Sequence, residues 1–290
     1  MLAGSVFASH NSNTALADQA QARLLRSVNE EKAFIQVHAA DALAAVGDPE
    51  PVRAVFSKFV PADPADPRRV GIWRSLAGSA RTPQERAIWT AKIEEEFMNP
   101  ASNLRVGALE SVGKLGHVLK GPALQSAQAL AKTFSEYDAA FVWWPLHLAG
   151  DRDALTHLIK ALDSSDQGTR SRASYAMRYM QIKDPAALKK IAEAAEAEAA
   201  AKGSKLRMRA VAVALNADPA HTAEWQALLE RELVSGSEGA KYDAALSLMY
   251  RYTPADLYRL EPLLKIPSGD APIGGAWAIL YVLKHSPKAK

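Results

Sequence analysis

The chain has 290 residues, 48 % of them hydrophobic and 7 % aromatic, with a formal net charge of +3 and no cysteine. This composition excludes disulfides, thiol nucleophiles and thiolate metal sites, carries a positive charge too mild to call by itself for nucleic acid, whose binding needs basic residues clustered on one face, and contains no apolar run approaching the roughly 18 residues of a membrane span. Abundant alanine, with no alternating runs of β-branched residues, predicts an all-α chain.

In chain order, the first dozen residues carry a short apolar stretch without the basic start of a secretory signal, and residues 1–12 read as a flexible leader. That favours the cytoplasm, with a periplasmic or secreted location following only from a clipped signal. A helix is expected from near Thr14 through Leu25, and residues 13–290 are expected to form a single domain. Seven similar segments then follow, anchored at Val37, Val70, Val106, Ala140, Ser171, Met208 and Tyr242, a period of about 34 residues. Two residues after the anchors stand Ala39, Ile72, Ala108, Val142, Ala173, Ala210 and Ala244; six after them stand Leu43, Leu76, Val112, Leu146, Met177, Ala214 and Leu248. The four-residue step is one helical turn, so both rows belong to one buried face.

Punctuation divides each segment into two helices. Asp48-Pro49, Thr82-Pro83, Asp184-Pro185 and Thr253-Pro254 place a capping side chain before a proline at the first helical position and predict the starts of second helices. Gly47, Gly116 and Gly150 are placed to close first helices. Pro61 to Pro67 reads as a stiff linker, and the Ala/Glu run from Ala192 to Lys205 as a long helix with a projecting tip. Pro145 implies that the fourth first-helix starts late, near Trp144, or kinks. The opening helix and the closing segment from Ile273 are expected to cap the two ends.

These segments resemble the HEAT repeats, in particular the short HEAT-like type named after phycobilisome lyases, whose pattern is an arginine, a small residue three later, a Leu and then Gly-Asp-Pro. HAADALAAVGDPEPVRAVF and LAGDRDALTHLIKALDSSDQGTRSRASYAM carry that pattern almost without gaps, and the resemblance covers roughly residues 30 to 287. It implies a right-handed α-solenoid of about seven stacked antiparallel helix pairs, each burying an apolar face that it cannot bury alone. Such repeats serve scaffolds, transport factors, lyases and DNA repair enzymes alike, so the resemblance implies a shape and no reaction.

Two groups of residues stand out as candidate sites. The first comprises His38, Asp41, Trp73, Arg74, Glu110, Trp143, Trp144 and His147. Asp41, Arg74 and Glu110 each lie four residues after an anchor and alternate in sign. His38, one turn before Asp41, makes a pair able to orient a base or help hold a metal, although no second histidine has helical spacing to it. Adjacent tryptophans diverge by about 100°, so Trp143 and Trp144 cannot both face the core. The second group is a candidate anion site at Arg170, Arg172, Arg207 and Arg209, with Lys202 and Lys205 nearby. Arg69, Arg105, Arg170, Arg207 and Lys241 all immediately precede an anchor, and the HEAT-like resemblance implies that this cation braces the turn between repeats.

No motif requires a cofactor or a metal: the glycine-rich phosphate loop and the Gly-x-Ser-x-Gly elbow are both missing. The His-Glu pairs that HEAT-repeat deoxyhypusine hydroxylases use for iron are missing as well. Trp143, Trp144, Asp151 and Arg178 loosely echo HEAT-like DNA glycosylases. The reading is a binding or scaffold protein that takes a protein partner along its concave groove and needs no catalysis. An enzyme acting on a carbohydrate or other polar small molecule is the alternative, and a nucleic-acid binder or glycosylase the third reading.

Overall fold

The computed structural model describes residues 3–59, 65–180, 182–200 and 207–286. They are helical throughout, with no strand among the described residues. In chain order the helices are α1 Ala3–Glu30, α2 Ala33–Val46, α3 Glu50–Phe56, α4 Arg69–Gly78, α5 Pro83–Met98, α6 Arg105–Lys114, α7 Gly121–Thr133, α8 Glu136–Leu148, α9 Ala154–Ala161, α10 Gln167–Tyr179, α11 Pro185–Ala200, α12 Arg207–Leu215, α13 Thr222–Ser235, α14 Glu238–Leu248, α15 Glu261–Leu264 and α16 Asp270–His285. They divide into two compact units, one formed by residues up to Val55 together with those from Ala223 onward, the other by Phe56–Thr222.

In the second unit, all five anchored helices form one layer in sequence order. Helix α4 packs on α6, α6 on α8, α8 on α10 and α10 on α12, while α5 adjoins α7 and α9 adjoins α11 in a second layer. Between the layers lies a core that includes Ile93, Phe97, Leu109, Leu119, Leu130, Val142 and Leu146. The two repeat rows are what this core needs: Ile72, Ala108, Val142 and Ala173, and Leu76, Val112, Leu146 and Met177, are all buried. Only Ala214 of the fourteen row positions is half-buried, near the end of α12.

The other unit contains the first and last helices. Helix α16 packs against α1, α2, α14 and α15. The Arg23 guanidinium ties α1 to the turn before α16 by donating to the Pro267 carbonyl at 2.7 Å. The opening and closing helices therefore pack on each other instead of capping separate ends, because α16 carries an apolar surface wide enough for several neighbours, with Ile273, Ala276, Ile279 and Val282 all buried.

Local chemistry sets most boundaries. Gly47 and Gly150 each adopt φ 89°, and the amides that follow, of Asp48 and Asp151, return to the Leu43 and Leu146 carbonyls at 2.9 and 3.0 Å, closing α2 and α8 in the left-handed manner. Thr82 caps α5 by accepting from the Glu85 amide at 3.1 Å, and Asp184 accepts from the Ala186 and Ala187 amides, both at 2.9 Å. Thr253-Pro254 departs from expectation. It forms a capping box with Asp256, yet it opens a short 3-10 helix, Pro254–Arg259, because Pro262 follows within two turns and interrupts an α-helix continuing from it.

Two further expectations are corrected. Helix α1 begins at Ala3, well before Thr14. Helix α8 starts at Glu136, where Ser135 accepts from the Asp138 amide at 3.2 Å, and carries Pro145 in its last turn. A proline so near the end sacrifices one backbone hydrogen bond and leaves the two turns before it intact. Most of the Pro61–Pro67 linker and the tip of the Ala/Glu run, residues 201–205, lie outside the described residues.

Candidate functional site

The first helices of the second unit present a stripe at one, four and eight residues after each anchor, the spacing of one helical face. Arg74 supplies it on α4, Glu110 and Lys114 on α6, Phe141 and Trp144 on α8, and Arg172, Tyr175 and Tyr179 on α10. Arg74 is buried, and its Nη1 donates to the Ser111 Oγ at 2.8 Å. The Glu110 carboxylate receives the Lys114 ammonium at 3.1 Å and the Tyr175 hydroxyl at 3.0 Å. Burial alone would raise the Glu110 pKa, but the charges of Lys114 and Arg74 and the donors from Lys114 and Tyr175 overcome it and hold the group down to about 2.

Aromatic rings and cations interleave along the same stripe. The Arg172 guanidinium lies 3.5 Å from the Tyr137 ring centroid and 5.0 Å from that of Phe141, and pairs with Asp138 at 2.7 Å. Arg178 lies 5.3 Å from the rings of both Tyr175 and Tyr179, and Lys114 5.5 Å from Tyr175. Trp144 stacks on Tyr179 at 5.5 Å and meets Tyr175 edge-on at 6.5 Å. Its indole lies over Gly113, where a Cβ would fall 2.4 Å from the ring, so only glycine admits it there.

The tryptophan pair diverges as the helix geometry requires. Trp144 is buried, while Trp143 is half-buried and stacks on His157 with centroids 4.0 Å apart and planes 6° from parallel. His147 is half-buried on α8, and burial lowers its pKa. Trp73 packs against the core between the layers, with the Lys92 ammonium 5.9 Å from its centroid. Of the eight residues in the first candidate group, Arg74, Glu110 and Trp144 thus join one network through Tyr175. Trp73 and Trp143 turn to other surroundings.

His38 and Asp41 belong to the other unit. The carboxylate that His38 engages through Nδ1, at 2.8 Å, is Asp270 at the first residue of α16, and the imidazole stacks on Tyr242 at 5.8 Å. Helical spacing pointed instead to Asp41, which lies one turn along on α2 and is half-buried. Asp270 carries no sequence signal, because its partner is 232 positions away. Tyr175, by contrast, was within reach of the repeat arithmetic. It stands four residues after Ser171, in the same row as Asp41, Arg74, Glu110 and Trp144.

The basic residues before the anchors go largely to local bracing. Arg69 grips Glu96 through Nε at 3.0 Å and Nη2 at 2.5 Å. Arg105 Nε donates to the Phe97 carbonyl at 2.9 Å, and Arg170 Nη1 to the Ser164 and Ser165 carbonyls at 2.6 and 3.0 Å. Arg86, which the repeat did not single out, does the same for the Ala77 and Leu115 carbonyls at 3.2 and 2.6 Å.

Within the candidate anion group, Arg172 is committed to Asp138, Arg209 is buried in α12 and Arg207 is half-buried at its start. The free amides opening α12 already face a carboxylate. Glu198 Oε2 accepts from Met208 and Arg209 at 3.0 and 3.3 Å, and burial, outweighing these contacts, raises its pKa. Lys202 and Lys205 lie outside the described residues.

One set of described side chains, Glu196, Asp218 and His221, brings ligand atoms within 4.8 Å of one another. Its geometry is that of a turn. Asp218 Oδ1 accepts from the Ala220 amide at 2.9 Å, and Oδ2 meets His221 Nδ1 at 2.6 Å beside the start of α13.

Compared with protein-family models, with curated proteins and with solved structures, the chain matches none of them. The fold and the stripe therefore define its class directly: an all-α protein of layered helix pairs, with no helix among the described residues long and apolar enough to cross a membrane.

Proposed function

We propose that the protein is a binding protein whose second unit is a right-handed HEAT-like α-solenoid stack, and that it takes a protein partner along the face formed by the first helices of that unit. The observation that carries this reading is the interleaved stripe of exposed Tyr137 with half-buried Arg172, Tyr175 and Tyr179, supported from beneath by the buried Phe141 and Arg178. Tyrosine, tryptophan and arginine are the residues that anchor protein interfaces, since rigid rings bury large area at low entropic cost and guanidinium planes both stack and donate. Arg74 and Arg178 are buried beneath this face, and Lys114 pairs with Glu110 and Arg172 with Asp138, so its charge is balanced locally and the rings supply the contact area. The sequential packing of α4, α6, α8, α10 and α12 is what a solenoid of such pairs requires.

The test is photo-crosslinking in the cells that make the protein, with a photoreactive residue replacing Tyr137, which is exposed, and in a second variant Ile88, an exposed position on α5. The expected outcome is a discrete protein adduct from position 137 that Arg172→Ala reduces severalfold, with no such adduct from position 88. Equal capture from both positions, or capture indifferent to Arg172→Ala, overturns the reading.

A further inference from the structure

A cavity of about 410 Å³ opens beside the stripe-bearing helices of the second unit, between the start of α4, the end of α5 and the turn into α6. Its wall includes Trp73, Arg69, Glu96, Asn99, Ser102 and Asn103. We propose that this cavity is a binding site for a single neutral sugar ring, separate from the protein-binding face.

The argument rests on the donors, the platform and the charge. Trp73 supplies an indole whose position is fixed by packing against the core, with the Lys92 ammonium 5.9 Å from its centroid, and the part of the ring that lines the cavity can meet the C–H groups of a pyranose. Arg69 and Glu96 form a two-point ion pair with side chains only 13 % and 9 % exposed, and the Ser102 hydroxyl also donates to Glu96. The result is a rigid planar edge of donors and acceptors at one wall of the cavity. Burial raises the Glu96 pKa, but the hydrogen bonds from Arg69 and Ser102 bring it below its ordinary value, so the carboxylate stays ionised and fixed as an acceptor.

At the rim stand two carboxamides. Asn99 Oδ1 accepts from the Ala101 amide at 3.0 Å, which orients its nitrogen, and the Asn103 carboxamide makes no hydrogen bond among the described residues. Sugar hydroxyls both donate and accept, so they suit a wall that mixes carboxylate, guanidinium, hydroxyl and amide. The Arg69 charge is cancelled by Glu96 within the wall itself, which favours a neutral ring over an anionic one. The volume lies at the small end of ligand pockets and suits one ring and not a chain.

The experiment is saturation-transfer NMR on the full chain with methyl glucoside, methyl mannoside, methyl galactoside, maltose and cellobiose as probes, with glucuronate and adenosine beside them. Indole N–H resonances are followed in parallel, that of Trp73 being assigned by its loss in Trp73→Phe, a change that keeps an aromatic ring against the core. The expected result is transfer to at least one neutral glycoside with a shift of the Trp73 resonance, and affinity weakened at least about fivefold by Asn103→Ala, the worth of one hydrogen bond. Methyl glycosides that bind as well as the disaccharides identify a free ring; a gain of about tenfold for a disaccharide identifies the end of a glycan, and either supports the site. The proposal is overturned if no neutral sugar shows transfer, if binding leaves the Trp73 resonance unmoved and survives Asn103→Ala, or if glucuronate or adenosine binds better than every neutral sugar.

Discussion

Glu110 in one unit and His38 in the other occupy the same kind of place, the polar stripe of an anchored first helix, and they are treated in opposite ways. Around Glu110, whose side chain is 23 % exposed, the protein supplies Lys114, a buried Arg74 and the Tyr175 hydroxyl, so several donors and charges converge on one carboxylate. Around His38, exposed to a similar degree at 26 %, it supplies one carboxylate, Asp270, and the Tyr242 ring. A charge held by several partners at once contributes to stability and to a rigid shape. A single partly exposed pair contributes little to stability and keeps a polar atom available.

The largest test of this contrast is Gly113→Val. The added side chain would displace Trp144, and through it Tyr175 and Tyr179, from the enclosed network. Urea or thermal unfolding should show a loss of about 3 kcal/mol or more, in the upper range for overpacking a filled core. A loss under about 1 kcal/mol would mean that the tryptophan is loosely held.

Next comes Glu110→Gln. The folded pKa of about 2 lies below the ordinary 4.5, so the carboxylate's contribution is present above pH 4.5 and is lost as pH falls toward 2. The wild-type and variant stability curves should therefore differ at pH 7 by on the order of 2 kcal/mol and converge near pH 2. Parallel curves across that window would show that the hold on this carboxylate is not electrostatic.

The smallest effect belongs to the single pair. Asp270→Asn should shift stability by no more than about 1 kcal/mol at neutral pH, the usual worth of a partly exposed pair. A larger loss would place Asp270 among the groups held by several partners and erase the distinction between the two regions.

The fold was legible where a residue's role is local or periodic. Ala108, Val112, Val142 and Leu146 are buried because the period puts them on one face, and Gly47 and Gly150 end helices because the turn needs positive φ. Pro145 misled because a proline's effect depends on its distance from a helix end, which Glu136 and Ser135 set rather than Pro145 itself. In the site, Arg74, Glu110 and Trp144 were found, and Tyr175 lay one step further along the same row of the repeat. Asp270 was beyond reach: it meets His38 through the packing of α16 on α2, which no spacing in the chain encodes. The cations before the anchors were visible as a ladder, but only their acceptors, such as the Phe97 and Ser164 carbonyls, distinguish a brace from an anion site.

The packing of α1 against α16 has a consequence for how the chain is made. Helix α1 emerges from the ribosome well before its principal neighbour, with the whole of Phe56–Thr222 synthesised in between. Until α16 appears, α1 lacks one of the two helices it chiefly packs against, and contacts of such long sequence separation form slowly. The contiguous unit can fold during translation, whereas the split one has to wait for its last helix. Removal of α16 should therefore uncover α1 and expose an apolar surface far away in the sequence.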